Sequence, residues 1–94
     1  MLYLLPRKKE TKHEVRILWS FGKIPWEILG QLFYFLFQET DRLRVRASDP
    51  EGIHLDVIAY YELNAFKETC KDITSPNVAI YVDGEKVGGN LEED

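Results

Sequence analysis

Residues 16 to 29 constrain the fold of this 94-residue chain more than any other stretch. Their first part belongs to the apolar run Val15–Ser20, which lacks a regular polar face and is typical of a central strand. A tight loop follows. Pro25 then stands where the first turn of a helix accepts proline, because an N–H at that position has no helical partner anyway. The stretch therefore predicts a strand, a loop and a helix in direct succession.

The predicted helix runs to about Glu39 and is apolar over most of its surface. Its polar side chains fall at helical spacing on one narrow stripe, formed by Glu27, Gln31, Tyr34 and Gln38. We therefore expect the helix to be largely enclosed. Its apolar surface exceeds what a chain of 94 residues can cover, which predicts self-association, as in a homodimer, or an obligate partner.

The middle of the chain predicts a second strand and a second helix. Leu43–Ala47 alternates apolar residues with arginines, which is the period of a half-exposed strand. The turn at residues 48–52 can cap a helix that begins directly after it. Apolar residues recur at helical spacing as far as Thr74-Ser75-Pro76, which ends this helix. These apolar residues are Leu55, Ala59, Leu63, Phe66, Cys70 and Ile73.

The last part of the chain predicts a β-hairpin. Asp83-Gly84 separates Val78–Val82 from Glu85–Val87, and this dipeptide is a strong signal for a two-residue hairpin turn. The order strand, helix, strand, helix, strand, strand predicts a single α/β domain over residues 1–94. Residues 1–13 are expected to form a peripheral basic arm and residues 90–94 an acidic tail.

Composition limits the classes of function. The formal net charge is −4, yet residues 1–16 hold five basic residues against two acidic ones. The single cysteine excludes an internal disulfide and fits the reducing cytoplasm. The most apolar run, residues 26–37, is shorter than the roughly 20 residues of a membrane span, so a soluble protein is expected. His13 and His54 lack metal-ligand spacing, and neither a metal nor a cofactor is predicted.

Two blocks of residues resemble the active-site region of thioredoxin-like proteins. In the first, Trp19 ends a strand as tryptophan commonly does in thioredoxins, and Lys23-Ile24-Pro25-Trp26 stands where they have Cys-Gly-Pro-Cys. In the second, Ser75-Pro76 resembles the pair that contains their cis-proline, and Asp83-Gly84 follows at the expected distance. Gly88-Gly89 resembles the small residues that end their last strand. The resemblance covers about residues 15 to 89. It implies a three-layer thioredoxin-like core, here without the usual C-terminal helix.

The same resemblance implies a protein without the usual chemistry. Disulfide exchange needs a thiolate, and Lys23 and Trp26 replace both cysteines, so a non-catalytic protein is expected. What the resemblance leaves is a protein-interaction or assembly module that binds an extended segment beside the Pro76 loop, by strand addition. The partner-binding residues of this groove would be Lys23, Ile24, Trp26, Ser75, Pro76 and Gly88.

Two alternatives stay open. The basic arm and the alternating arginines predict the phosphate-binding surface of a small nucleic-acid-binding α/β protein. Tyr60 and Tyr61 could stack on bases, but they fall within the predicted second helix and are expected to pack in the fold instead. Its phosphate contacts would be Lys8, Lys9, Lys12, Arg42, Arg44 and Arg46. The other alternative is a single-cysteine redox protein that uses Cys70. A buried structural thiol competes with that interpretation, because free cysteine packs like a small hydrophobe.

Overall fold

The computed structural model describes residues 11–20, 25–32 and 41–92. Its elements are, in order, β1 (Thr11–Trp19), α1 (Trp26–Leu32), β2 (Asp41–Asp49), β3 (Gly52–Tyr61), α2 (Leu63–Lys71), β4 (Val78–Val82) and β5 (Glu85–Gly89). The predicted α/β class is confirmed. The predicted continuation of the first helix to Glu39 lies outside the described residues.

The five strands form one mixed sheet in the order β3-β2-β1-β4-β5. Strand β1 is central and runs parallel to β2, with Val15 beside Val45. The pairs β1–β4, β2–β3 and β4–β5 are antiparallel. Helix α1 lies between β1 and β2 in the chain, as the crossover between parallel strands requires.

Both helices pack on the same face of the sheet. The core on that face combines alternate strand residues with residues of α1 and α2, among them Val15, Ile17, Leu43, Val45, Ile80, Leu29, Leu32, Phe66 and Cys70. Within the described residues the molecule therefore has two layers, where three were expected. The physical reason is that the opposite face carries charged side chains, such as Glu14 and Arg44, whose burial under a further layer would be costly.

Residues 52–61 form strand β3, although the sequence pattern predicted the first part of a helix there. β3 pairs with β2 along its length, so the turn before it closes a hairpin and caps no helix. Apolar residues four positions apart, such as Leu55 and Ala59, fit the strand period of two as well as the helical period. The β-branched and aromatic residues around them favour a strand.

Helix α2 begins only at Leu63, where two carboxylates fix its first turn. The Glu62 carboxylate accepts hydrogen bonds from the backbone N–H groups of Asn64 at 2.6 Å and Ala65 at 3.3 Å. The Asp41 carboxylate accepts the N–H of Leu63 at 2.8 Å. These contacts satisfy donors that a helix leaves without intrahelical partners.

Two local predictions are confirmed. The Pro25 carbonyl accepts the N–H groups of Ile28 and Leu29 at 3.0 and 3.1 Å, and α1 follows directly. Asp83 and Gly84 join β4 to β5 with φ angles of 51° and 88°, the left-handed conformation of a type I′ hairpin turn. One boundary was wrong: β1 begins at Thr11, so residues 11–13 belong to the sheet and not to a peripheral arm.

Candidate nucleic-acid interface

The side of the sheet that faces away from the helices, here called the open face, is rich in basic side chains. Side chains alternate between the two faces along each strand, and Val15 and Ile17 of β1 lie in the core. The intervening positions of β1 and the matching positions of β2 lie on the open face. They include five cations, named here the basic set: Lys12, Arg16, Arg42, Arg44 and Arg46.

The parallel register of β1 and β2 arranges four members of the basic set as two neighbouring pairs. Lys12 lies beside Arg42, and Arg16 lies beside Arg46. Neighbouring strands are about 4.8 Å apart, and the two pairs are separated by about 13 Å along the strands. Like charges on adjacent strands repel unless a carboxylate or another anion compensates them. This arrangement therefore favours the binding of anions at the open face.

Two carboxylates on the open face compensate part of this charge. Asp56 of β3 accepts hydrogen bonds from Arg44 Nε at 3.1 Å and from Arg44 Nη2 at 2.9 Å. This pairing with Arg44 holds the pKa of Asp56 below its ordinary value. Glu14 of β1 accepts a hydrogen bond from Arg46 Nη2 at 2.5 Å. Both pairs are partly exposed to solvent, so they reduce the local charge without closing the surface.

The remaining members of the basic set have no compensating carboxylate in the described part of the chain. Among the described residues, no ion pair involves Lys12, Arg16 or Arg42. On β1, β2 and β3 the open face holds five cations against two carboxylates, although the whole chain carries a formal net charge of −4. Positive charge is thus concentrated on one face of an acidic protein.

Two tyrosines lie beside the basic set. The guanidinium of Arg16 lies over the ring of Tyr81 in β4, 5.6 Å from the ring centre. Tyr60 of β3 is opposite Arg42 in register, and 37% of its surface is exposed. The expectation that Tyr60 lies in a helix is wrong, because residues 52–61 form strand β3, which places Tyr60 on the open face. Proteins that bind single-stranded nucleic acids combine cations, which contact the phosphates, with aromatic rings on which the bases stack.

The loop that contains Pro76 lies against the end of β1. The N–H of Ser20 donates to the Asn77 carbonyl at 3.0 Å, so the loop after β1 and the loop before β4 are neighbours. The Ser75–Pro76 bond is trans, since the described residues contain no cis peptide bond, and the expected cis-proline is wrong. The Ser75 carbonyl accepts the N–H of Asn90 at 2.8 Å, so the chain itself occupies part of this loop's hydrogen-bonding capacity.

Other residues of the predicted groove have separate environments. Trp26, the first residue of α1, is 64% exposed. Gly88 lies in β5 against the last turn of α2, where an added Cβ would be 2.2 Å from the Cys70 carbonyl oxygen. Gly88 therefore has a packing role in the fold. Four predicted site residues lie outside the described part of the chain, namely Lys8, Lys9, Lys23 and Ile24.

The other chemistry-bearing residues contribute to the fold. Cys70 is fully buried, and burial raises the pKa of its thiol to about 12, which disfavours a reactive thiolate. His13 Nδ1 contacts Asp83 at 2.6 Å, and His54 Nε2 contacts Asp49 at 2.8 Å. In residues 11–20, 25–32 and 41–92, no three His, Cys, Asp or Glu side chains are placed to hold a metal.

Sequence reasoning identified Lys12 and the three arginines of β2 but missed Asp56, which pairs with Arg44, and Tyr81, which contacts Arg16. The signal for the arginines was their alternation along one strand. Asp56 and Tyr81 come from other strands, and only the pairing of those strands brings them to the open face. The sequence around Asp56 does not indicate its contact with Arg44, and the sequence around Tyr81 does not indicate its contact with Arg16.

Comparison with known proteins adds no relative from which a role could be transferred. No protein-family model, curated protein or solved structure matches this chain. Neither of the two described helices is long and apolar enough to cross a membrane. The function is therefore inferred from the geometry of the open face.

Proposed function

We propose that this protein binds single-stranded nucleic acid across the open face of its sheet. The observation that carries this proposal is the concentration of five cations on adjacent strands, opposed by only two carboxylates, in a chain of net negative charge. Phosphate contacts supply most of the affinity of non-specific nucleic-acid binding. A charge distribution of this kind directs a polyanion to one face and repels it from the others.

The aromatic residues favour a single strand over a duplex. Tyr60 is exposed beside Arg42, and a base can stack on its ring while the adjacent cation contacts a phosphate. Bases in a duplex are already stacked on each other and do not offer their faces. Lys12 and Arg42 form the strongest candidate phosphate site, because they are neighbours and neither has an ion-pair partner in the described part of the chain.

The test is fluorescence anisotropy with mixed-sequence single-stranded DNA and RNA over a range of salt concentrations. Each phosphate contact contributes a slope of about −0.7 to log K against log salt, so three uncompensated cations predict a slope of about −2. Lys12→Gln should weaken binding and make the slope shallower by about 0.7. Lys71→Gln is the matched control, because Lys71 lies on α2 and is already paired with Glu68 at 2.7 Å.

A second variant tests the same surface in the opposite direction. Asp56→Asn releases Arg44 from its carboxylate, so affinity should rise and the slope should steepen by about 0.7. The proposal is overturned if the wild-type protein binds neither DNA nor RNA at low salt. Equal effects of Lys12→Gln and Lys71→Gln would also overturn it, since binding would then not depend on the open face.

A second candidate is the redox-inactive thioredoxin-like module that binds an extended protein segment. It is supported by the order β2-β1-β4-β5 within the sheet, with a parallel pair followed by an antiparallel hairpin. It is also supported by the contact between Ser20 and Asn77 and by the exposed Trp26. A library of extended peptides would test it: capture should be lost in Trp26→Glu and kept in Lys12→Gln. Capture that survives Trp26→Glu would exclude the groove.

A further inference from the structure

Strand β3 presents a long edge that no described strand covers. It is the end strand of the sheet, and within the described residues no strand pairs with its outer side. Four of the five exposed large hydrophobic residues in that part of the chain belong to β3: Ile53, Val57, Ile58 and Tyr60. An edge of this kind offers unpaired backbone N–H and C=O groups next to apolar side chains.

The start of β3 has one device that protects edge strands, an irregularity in its register with β2 between Ile53 and Leu55, but the rest of the strand lacks the usual protection. Soluble proteins block such edges with lysine, with proline, or with a very short strand. β3 has ten residues and contains no lysine, arginine or proline. Its only acidic residue, Asp56, is paired with Arg44 and does not charge the edge. The strand is therefore suited to pairing with another strand.

We propose that β3 pairs with β3 of a second copy of this chain, antiparallel, about a twofold axis beside Val57. This register is self-complementary. Val57 faces its own copy across the axis, and Leu55 faces Ala59 of the second copy. Asp56 faces Ile58 of the second copy, so no like charges lie directly opposite one another, an arrangement that would be destabilising. The two sheets then form one continuous sheet of ten strands.

The size of this contact determines its strength. A stable interface buries about 800 Å² on each partner, more than the half-exposed side chains of one strand supply. We therefore expect a dimer that dissociates on dilution. In this arrangement the twofold axis is perpendicular to the sheet, so both open faces point to the same side. Pairing through β3 does not depend on nucleic-acid binding.

Sedimentation velocity over a range of protein concentrations tests the proposal. The wild-type protein should show a reversible monomer–dimer equilibrium. Val57→Lys places two lysines opposite each other across the axis and should weaken the dimer by roughly a hundredfold. Trp26→Lys is the matched control, because Trp26 is also exposed and apolar but lies on α1, and it should change the dimer constant less than twofold.

Disulfide trapping keeps the proposal testable if Val57→Lys fails to fold. Directly opposite residues of an antiparallel pair have Cβ atoms about 4.5–5.5 Å apart, so Val57→Cys should form a covalent dimer on oxidation, whereas Glu68→Cys on α2 should not. Native Cys70 is buried and does not compete. A monomer at all concentrations, equal effects of the two lysine variants, or no trapping through position 57 would each overturn the proposal.

Discussion

Replacing Gly88 by alanine is expected to destabilise the fold by about 3 kcal/mol, at the upper end for an added methyl group in a packed site. An alanine Cβ at this position would lie 2.2 Å from the Cys70 carbonyl oxygen and 2.9 Å from its carbonyl carbon. Both are backbone atoms at the end of α2, so no side chain can rotate away. Strand β5 and helix α2 must instead move apart, which disturbs the core around Cys70.

Gly30→Ala is the matched control, because the same methyl group added to α1 meets nothing within 4 Å. Alanine in a helix is more favourable than glycine by roughly 0.5–1 kcal/mol, so this variant should be slightly stabilised. The two substitutions are chemically identical and are predicted to have opposite signs. Urea unfolding followed by circular dichroism measures both changes, and a constant slope with urea concentration shows that the difference lies in stability.

The expected change in Tm follows from the size of the chain. For domains of 60–100 residues, 1 kcal/mol shifts Tm by roughly 4–8 °C, so Gly88→Ala should lower Tm by roughly 12–24 °C. A variant as stable as the wild type would refute the packing of α2 against β5. Loss of peptide capture with unchanged stability would instead return Gly88 to the groove that the thioredoxin-like resemblance implies.

Two further predictions concern titratable groups. The backbone N–H of Glu14 and then the ring of His13 lower the pKa of Asp83, so its stabilising effect is complete above its unfolded value of 3.8 and is lost as pH falls through the lowered folded value. Because the Asp83 side chain is half exposed, Asp83→Asn should cost only about 0.2–1 kcal/mol at pH 7 in urea unfolding and progressively less as the pH falls below 3.8, and a deficit independent of pH would contradict this. The buried Cys70 thiol should react with a thiol reagent at least about a hundredfold more slowly in the native than in the denatured protein, and rapid native labelling would restore the redox alternative.

The parts of the fold that were predictable from sequence are those with local causes. The ring of Pro25 fixes its φ angle and removes its N–H, which favours a helix that begins at the next residue. Asp83-Gly84 favours its turn because both residues adopt positive φ angles, which few residue types do. The alternation of Arg42, Arg44 and Arg46 with apolar residues predicted a half-exposed strand, because successive side chains of a strand point to opposite faces of its sheet. Each of these signals needs no knowledge of the rest of the chain.

The strand β3 could not be distinguished from a helix in the same way. Leu55, Ala59 and Leu63 fit both periods, and the outcome depended on whether β2 was available as a partner. The number of layers was equally non-local. It depended on which face of the sheet α2 covers. Phe66 and Cys70 of α2 lie in the core on the same face as the buried residues of α1.

The candidate site shows the same division between local and non-local information. Lys12 and the arginines of β2 were identified from their own strands. The contact of Asp56 with Arg44 and the position of Tyr60 opposite Arg42 required the placement of β3, and the contact of Tyr81 with Arg16 required the placement of β4. The error over β3 therefore hid more than one element. It removed Tyr60 from the basic surface, and it concealed an exposed apolar edge. The proposed dimer follows from that one strand, because β3 offers its edge to a second copy, whereas the proposed nucleic-acid site takes its cations from β1 and β2 and only an aromatic ring from β3.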